Sequence, residues 1–269
     1  MSEEKTCCRG CCLTIAGSDS GGNAGVQADL RAFHAYGLHG CTVLAALTAQ
    51  NPRAVSAIHE VPPDFVAAQL DAVLGVYDIR ALKTGMLADA AVIEVVADRI
   101  AAHPGIVRVV DPVMIATSGA RLLRADASEA LARKLLPLAT LATHNLPEAA
   151  ELCGADGDAA TLARGIFERF GCATLVKGGH AGGRDSEDVL YDGRGIRTFS
   201  LPRIDNPVST HGTGCTLAAA LAAELALGHG LAEAVEGAKS HVHAAISGAY
   251  PVGEDCGVLG FVRGGNGGV

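Results

Sequence analysis

Cys12-Leu13-Thr14-Ile15-Ala16 leads through Gly17-Ser18-Asp19-Ser20-Gly21-Gly22-Asn23-Ala24-Gly25 into a helical stretch carrying Gln27 and Asp29, and residues 40–47 return to a β-prone run. Strand, glycine-rich turn, helix and second strand make a βαβ unit, which implies parallel strands joined by a crossover helix. The alternation continues along the chain. Residues 79–83, 107–110, 141–143, 173–177, 189–191 and 197–200 read as further strands, and 64–74, 88–102, 128–136, 148–153 and 158–170 as helices. Pro63 and Asp64 mark the start of the first of these helices, and Gly171 the end of the last. After a loop containing Gly178, Gly179, Gly182 and Gly183 and a hairpin, two Ala-rich helices follow from about residues 212 and 231. The pattern predicts an α/β fold with a mostly parallel central sheet flanked by helices on both faces, a three-layer sandwich.

The chain has 269 residues, 49% of them apolar, enough for one large core, so a single domain over residues 1–269 is expected. Trp is absent and aromatics are 4%, so Val, Leu, Ile and Ala must fill that core. No repeat or linker interrupts the chain, and residues 1–10 and 263–269 read as flexible ends. A net charge of −8 argues against a nucleic-acid partner, which would want a basic face. The longest apolar stretch, 216–227, contains Glu224 and is too short to span a bilayer, while Glu3 and Glu4 stand where a secretory leader is basic. These features predict a cytoplasmic protein with no membrane partner. The nine cysteines are then expected to be reduced. Cys8 and Cys11 form a lone C-x-x-C without a second pair at zinc spacing. The group Cys7, Cys8, Cys11 and Cys12 therefore reads as a ragged terminus plus a buried strand residue.

In an open α/β sheet, ligands bind beyond the carboxyl ends of the strands. Here those ends are polar: Gly17-Ser18-Asp19, Thr48-Ala49-Gln50-Asn51, Lys83-Thr84-Gly85-Met86, Asp111, Asn145 and Lys177-Gly178-Gly179. His211-Gly212-Thr213-Gly214-Cys215 runs straight into an apolar helix and would offer free amides and a positive dipole end to an anion. By itself such a turn is also an ordinary capping sequence, and no Walker lysine follows it. Phosphoryl transfer further needs a divalent cation, and Mg²⁺ takes a few carboxylates with retained waters. Asp111, ending a strand, and Glu148, in the first helical turn after Pro147, have that chemistry. Singly, one also reads as a strand-end cap and the other as a charge favoured by the helix dipole. Lys177 would set an ammonium beside the loop of Gly178 and Gly179, which could close over a nucleotide. The turn after the first strand lacks the G-x-G-x-x-G spacing of a dinucleotide site, and Gln50 stands where such a site has an acid. An amide there and a carboxylate at Asp29 suit a neutral heteroaromatic ring with donors and acceptors.

In this setting the chain resembles the hydroxymethylpyrimidine and phosphomethylpyrimidine kinases of thiamine biosynthesis, within the ribokinase superfamily, from residue 13 to about 248. The carriers are Leu13-Thr14-Ile15-Ala16-Gly17-Ser18-Asp19-Ser20, Gly25-Val26-Gln27-Ala28-Asp29-Leu30, Ala46-Leu47-Thr48-Ala49-Gln50-Asn51 and Lys83-Thr84-Gly85-Met86-Leu87. Downstream they are Asp111-Pro112-Val113-Met114, Asn145-Leu146-Pro147-Glu148-Ala149, Val176-Lys177-Gly178-Gly179-His180 and Thr210-His211-Gly212-Thr213-Gly214-Cys215-Thr216-Leu217. Their order along the chain makes them more specific together than any one alone.

The resemblance implies a ribokinase-like fold with the pyrimidine near Gly17, Asp29, Gln50, Met86 and Val113. It implies Mg²⁺ near Asp111 and Glu148, and ATP near Thr210, Lys177, Gly178, Gly179 and the turn of Gly212, Thr213 and Gly214. Cys215 stands where sugar-kinase relatives carry an aspartate base; a thiol at a helix N-terminus has a lowered pKa and would help deprotonate or orient the attacking hydroxyl. The implied activity is ATP-dependent phosphorylation of 4-amino-5-hydroxymethyl-2-methylpyrimidine and of its monophosphate, with a homodimer as the expected assembly and small molecules as the partners. Pyridoxine or pyridoxal kinase is the nearest alternative enzyme, and a non-catalytic nucleotide or pyrimidine sensor the alternative of another class. Four positions depart from the usual pattern: Ser20-Gly21-Gly22-Asn23-Ala24 where Ser-Ser-Gly-Gly-Ala is usual, His144 in place of a proline, Val208-Ser209 before Thr210 where an asparagine is common, and a tail at Gly253-Glu254-Asp255-Cys256-Gly257 without the usual histidine. None removes a proposed catalytic group, and Asn23 and the tail bear on substrate preference.

Overall fold

The computed structural model describes residues 10–114, 125–178 and 183–261. The opening βαβ unit forms as the sequence predicts. Strand β1 (Cys11–Asp19) and strand β2 (His39–Asn51) pair in parallel, from Cys11 opposite His39 to Asp19 opposite Thr48, and helix α1 (Gly25–Ala35) crosses between them. There follow β3 (Ala54–Glu60), α2 (Pro63–Leu74), β4 (Ile79–Thr84), α3 (Ala90–Ala101), β5 (Val107–Val110), α4 (Ala125–Ala130), β6 (Leu141–Asn145), α5 (Leu146–Cys153), α6 (Ala159–Phe170) and β7 (Ala173–Lys177). The chain closes with β8 (Asp185–Tyr191), β9 (Ile196–Pro202), α7 (Thr213–Ala226), α8 (Leu231–Ser247) and a hairpin of β10 (Tyr250–Gly253) and β11 (Cys256–Val258).

The nine-stranded sheet has the order β3-β2-β1-β4-β5-β6-β7-β8-β9. Strands β2 through β7 in that order run parallel, with β3 antiparallel at one edge and β8 and β9 antiparallel at the other. Successive strand residues point to opposite faces. Leu13, Ile15 and Leu82 therefore enter the core closed by α2, α3, α5 and α6, while Cys12, Ala81, Val109, Leu141 and Leu175 meet α7 and α8 on the other side. Helix α7 is buried from Thr216 to Glu224, and its run of alanines lets it lie close on the sheet. These two cores on either side of one sheet are the three layers expected.

Three details differ from the sequence reading. β2 continues to Asn51 and pairs with β3, because Asn51 Oδ1 accepts from the amides of Arg53 and Ala54 and so closes a tight turn. That ribbon is largely solvent-exposed, so no apolar periodicity announces it. The helix expected over 128–136 begins at Ala125 and loosens into a π-turn over Leu131–Leu135. The tail around Asp255 forms the β10–β11 hairpin. No disulfide joins the seven cysteines of the described residues, whereas Cys7, Cys8 and most of both expected flexible ends lie outside the described residues.

His144 of β6 is fully buried, and neither of its ring nitrogens has a hydrogen-bond partner. Burial, reinforced by the charge of Lys177 and opposed by Asp111, pushes its pKa down from 6.5 to about 3. The unfolded chain thus takes up a proton that the folded chain refuses. His144 imposes no penalty above about pH 6.5 and destabilises the fold progressively as pH falls from there toward 3, by roughly 2 kcal/mol at pH 5. His144→Leu is expected to flatten the fall in urea-unfolding free energy between about pH 7 and pH 5 by that amount; an unchanged slope would contradict it.

Candidate active site

Strand order reverses at β1, which has β2 on one side and β4 on the other. The crossovers therefore diverge and leave a crevice beyond the carboxyl ends of these strands. A cavity of about 630 Å³ opens there and is lined by Gly17, Gln50, Met86, Val113, Asp111, Glu148, Lys177, Thr210 and the whole turn from Gly212 to Cys215. Gly17 and Cys215, 198 positions apart in sequence, thus share one wall, which is what the polar strand ends predict.

The turn precedes α7 with Gly212 at φ +88°, in the left-handed region that favours glycine. The amides of the first helical turn have no intrahelical acceptor and carry the positive end of the dipole. Thr213 Oγ1 donates to the carbonyl of Thr210 at 3.0 Å, which ties the turn to the segment before it. Lys177, at the end of β7, reaches beneath this turn: its Nζ is 3.1 Å from Asp111 Oδ1, the same oxygen that accepts from Thr143 Oγ1 at 3.1 Å. Burial alone would lower the Lys177 pKa, but Asp111 and Glu148 outweigh it and hold it above the ordinary lysine value. The ammonium is therefore permanent at neutral pH.

Glu148 is fixed by the start of α5. Asn145 Oδ1 accepts from the Glu148 amide at 2.8 Å, and Glu148 Oε2 accepts from the Asn145 amide at 3.0 Å, a capping box. Glu148 thus caps the helix start and also lines the cavity. Burial raises its pKa, Lys177 opposes that and Asp111 adds to it. Two buried carboxylates facing one ammonium leave excess negative charge, and their hard oxygens suit a hard divalent cation. Among the described residues no cluster of three or more His, Cys, Asp or Glu side chains could hold a metal alone. A cation at Asp111 and Glu148 must therefore share its ligands with phosphate and water, the mode Mg²⁺ prefers.

Gly17, Met86 and Val113 also wall the cavity, and Gln50 brings a side-chain amide to it, its Oε1 accepting from Thr48 Oγ1 at 3.1 Å. Val113 sits at φ +27°, a conformation a β-branched residue adopts only when its surroundings impose it.

Some expected site residues stand elsewhere or behave differently. Asp29 does not line the cavity. It is wholly buried behind it, where Lys83 Nζ lies 3.0 and 2.9 Å from its two oxygens and Thr14 Oγ1 donates at 2.6 Å. Asp29 therefore holds Lys83, which does reach the wall. Gly178 is also absent from the wall, because its amide donates to Asp188 Oδ1 at 3.0 Å. Gly179 lies outside the described residues. Cys215 is half-buried, and desolvation raises its thiol pKa, with Asp29 and Asp111 adding to that and Lys83 opposing it. The lowering expected from a helix N-terminus is overridden, so the thiol stays protonated at neutral pH.

Lys239 and Asp188, both on the wall, are among the lining residues that had no role in the sequence reading. Lys239 Nζ contacts Asp188 Oδ2 at 2.7 Å, and both side chains are largely buried. A lysine beside the buried stripe of Ala234, Val235 and Ala238 was the available signal, since a buried lysine is nearly always paired.

Residues 19–260 match the family model described as phosphomethylpyrimidine kinase. A protein of Rhizobium meliloti named hydroxymethylpyrimidine/phosphomethylpyrimidine kinase is 49% identical over 242 residues, 88% of this chain and 90% of that one. Among solved structures, a Bacillus subtilis pyridoxal kinase in complex with ADP superposes with a TM-score of 0.87 at 35% identity, covering 94% of this chain and 98% of that one. A phosphomethylpyrimidine kinase of Clostridium difficile superposes at 0.78 with 36% identity, covering 88% and 99%. Fold, cavity and family model agree over nearly the same residues, and the chain belongs to the phosphomethylpyrimidine kinase family.

Proposed function

We propose that the chain transfers the γ-phosphoryl group of ATP to the hydroxymethyl oxygen of 4-amino-5-hydroxymethyl-2-methylpyrimidine, and then phosphorylates the monophosphate to the diphosphate. The observation that supports this reading is a single cavity with two dissimilar halves, whose wall also carries Lys177, Asp111, Glu148 and the α7 turn. One half, at Gly17, Gln50 and Met86, suits a small polar ring. The other, beyond the turn, is walled by Leu201, Ile204, Val242 and Ile246, apolar surface suited to the faces of a purine.

The chain's own residues have separable tasks in this reaction. The first-turn amides of α7 take the transferred phosphoryl oxygens, and Lys177 offsets the charge that builds on them and on the leaving oxygen. Asp111 and Glu148 would hold Mg²⁺, which when bound neutralises phosphate charge. Gln50 orients the ring so that its hydroxyl faces the turn. Because the transition state of phosphoryl transfer is loose, the hydroxyl needs orientation more than early deprotonation. A protonated Cys215 can give that orientation as a hydrogen-bonding partner.

Pyridoxal kinase is the second reading, favoured by the superposition on the Bacillus subtilis enzyme, while the higher sequence identity favours the pyrimidine. Incubation with Mg-ATP and each alcohol, with products resolved by mass, separates the two: the pyrimidine mono- and diphosphate are expected, and absence of both would sink the proposal. In the same assay Cys215→Ala is expected to lower kcat about tenfold while nucleotide affinity changes less than about twofold, since the amides of the turn survive. Parallel losses in both would contradict the role given to the thiol.

A further inference from the structure

The cavity wall contains a buried acid and an imidazole that neither metal binding nor phosphoryl stabilisation uses. Asp19, the last residue of β1, is 2% exposed, and the loop after it wraps around its carboxylate. Oδ1 accepts from the amide of Gly21 at 2.8 Å, and Oδ2 from those of Asn23 at 3.0 Å and Ala24 at 2.8 Å. Asp19's own amide donates to Gln27 Oε1 at 2.9 Å, and Gln27 Nε2 donates to Ser18 Oγ at 2.8 Å, which anchors the loop to α1. Burial alone would raise the Asp19 pKa, but the approach of His211 and the three amides outweigh it and hold it below the ordinary value. The carboxylate is thus a fixed negative charge at neutral pH.

His211 faces it from the other side of the cleft. Its Nε2 lies 3.7 Å from Asp19 Oδ2, just beyond hydrogen-bond range, and neither ring nitrogen has a partner although both are buried. Unpartnered buried nitrogens are rare and call for an explanation. The backbones of the two segments are also in contact: a Cβ on Gly212 would stand 1.8 Å from the carbonyl oxygen of Asn23. One segment closes the acceptor half of the cavity and the other carries the amides meant for the phosphoryl group. Functional hydrogen bonds are often long without ligand and tighten in the reactive complex.

We infer that His211 is a positioning residue, whose Nε2–H closes onto Asp19 when both substrates are bound and so fixes the α7 turn at the correct distance from the acceptor loop. Reacting atoms must approach to about 3–3.5 Å, and a displacement of about 1 Å costs on the order of a hundredfold in rate. This inference rests on the kinase reading of the cleft.

The test is steady-state kinetics of His211→Ala and His211→Asn with the pyrimidine alcohol and with its monophosphate, alongside thermal unfolding. His211→Ala is expected to lower kcat ten- to a hundredfold with both acceptors while KM for ATP and acceptor changes less than about threefold. His211→Asn, which keeps an N–H donor, is expected to recover at least a third of wild-type kcat. In a His211→Ala/Asp19→Asn double variant the loss is expected to be no greater than that of the worse single change, as for residues acting as a unit. Equal losses in Ala and Asn variants, a loss confined to KM, or multiplicative losses in the double variant would overturn the inference while leaving the kinase reading intact. Wild-type protein that phosphorylates neither acceptor would overturn both.

Discussion

Lys177→Met is expected to lower kcat about a thousandfold in a chain that still folds, because it removes a charge from the reaction while keeping most of the volume. Three observations set the magnitude. Lys177 Nζ is 3.1 Å from Asp111 Oδ1, and the side chain is only 17% exposed, so its charge acts in a water-poor site. A Cβ on Gly214 would lie 3.8 Å from the same nitrogen, which places the ammonium directly under the turn proposed to receive the phosphoryl group. Removing one preorganised donor from such a site costs about 10²–10³ in kcat, and a full positive charge at the transferring group stands at or above the top of that range. The substitution also changes a titration. Lys177 is the largest of the influences that oppose the upward push of burial and Asp111 on Glu148, ahead of the amides of Asn145 and Met114. Without it the Glu148 pKa rises further, so the acid limb of the kcat/KM profile moves to higher pH. ADP release measured across pH checks both statements. A loss below tenfold, or an acid limb that stays in place, would remove Lys177 from the centre of the mechanism.

The same residue shows how far the sequence could be read. A lysine at the end of a predicted strand, followed by glycines, is legible because strand ends in an α/β sheet gather at one edge, and the parallel order was implied by the opening βαβ unit. That Asp111, Glu148, Gln50 and the α7 turn would share a wall with it was legible for the same reason. What the sequence could not show was which side of a strand or helix each group faces at the site. Asp29 and Gln50 read as a pair around a ring, yet Lys83 turns Asp29 inward, a partner 54 positions away. The Cys215 thiol read as acidified by a helix terminus, but burial beside Asp29 and Asp111 prevails, and burial is a property of the assembled core. β3 and the end of β2 beyond residue 47 were illegible because β3 is largely solvent-exposed, and the pairing that makes it a strand leaves no pattern in hydropathy. His211 and Asp19 were quoted within motifs, but their role depends on a meeting across 192 positions, visible only in three dimensions.

Gly212→Ala is the second change expected to be severe, and a second glycine of the same helix isolates the reason. Both Gly212, at φ +88°, and Gly228, at φ +94°, occupy the left-handed region, one before α7 and the other just after it. An alanine at either position meets a backbone strain of about 1 kcal/mol. The surroundings differ. At Gly228 a Cβ would find nothing within 4 Å, whereas at Gly212 it would fall 1.8 Å from the Asn23 carbonyl oxygen and 2.9 Å from its carbon. Backbone cannot swing aside as a side chain does, so in Gly212→Ala the turn and the acceptor loop must separate by an ångström or more. The amides of α7 then miss the phosphoryl oxygens, and kcat/KM is expected to fall by a hundredfold or more. Gly228→Ala is expected to lose only about 1 kcal/mol of stability and to keep wild-type kinetics. Urea unfolding and ADP-release kinetics on the two variants decide the matter. Equal kinetic losses would mean that strain in α7 matters rather than the seam between turn and loop, and a Gly212→Ala variant with normal turnover would show that the seam does not set the geometry of transfer.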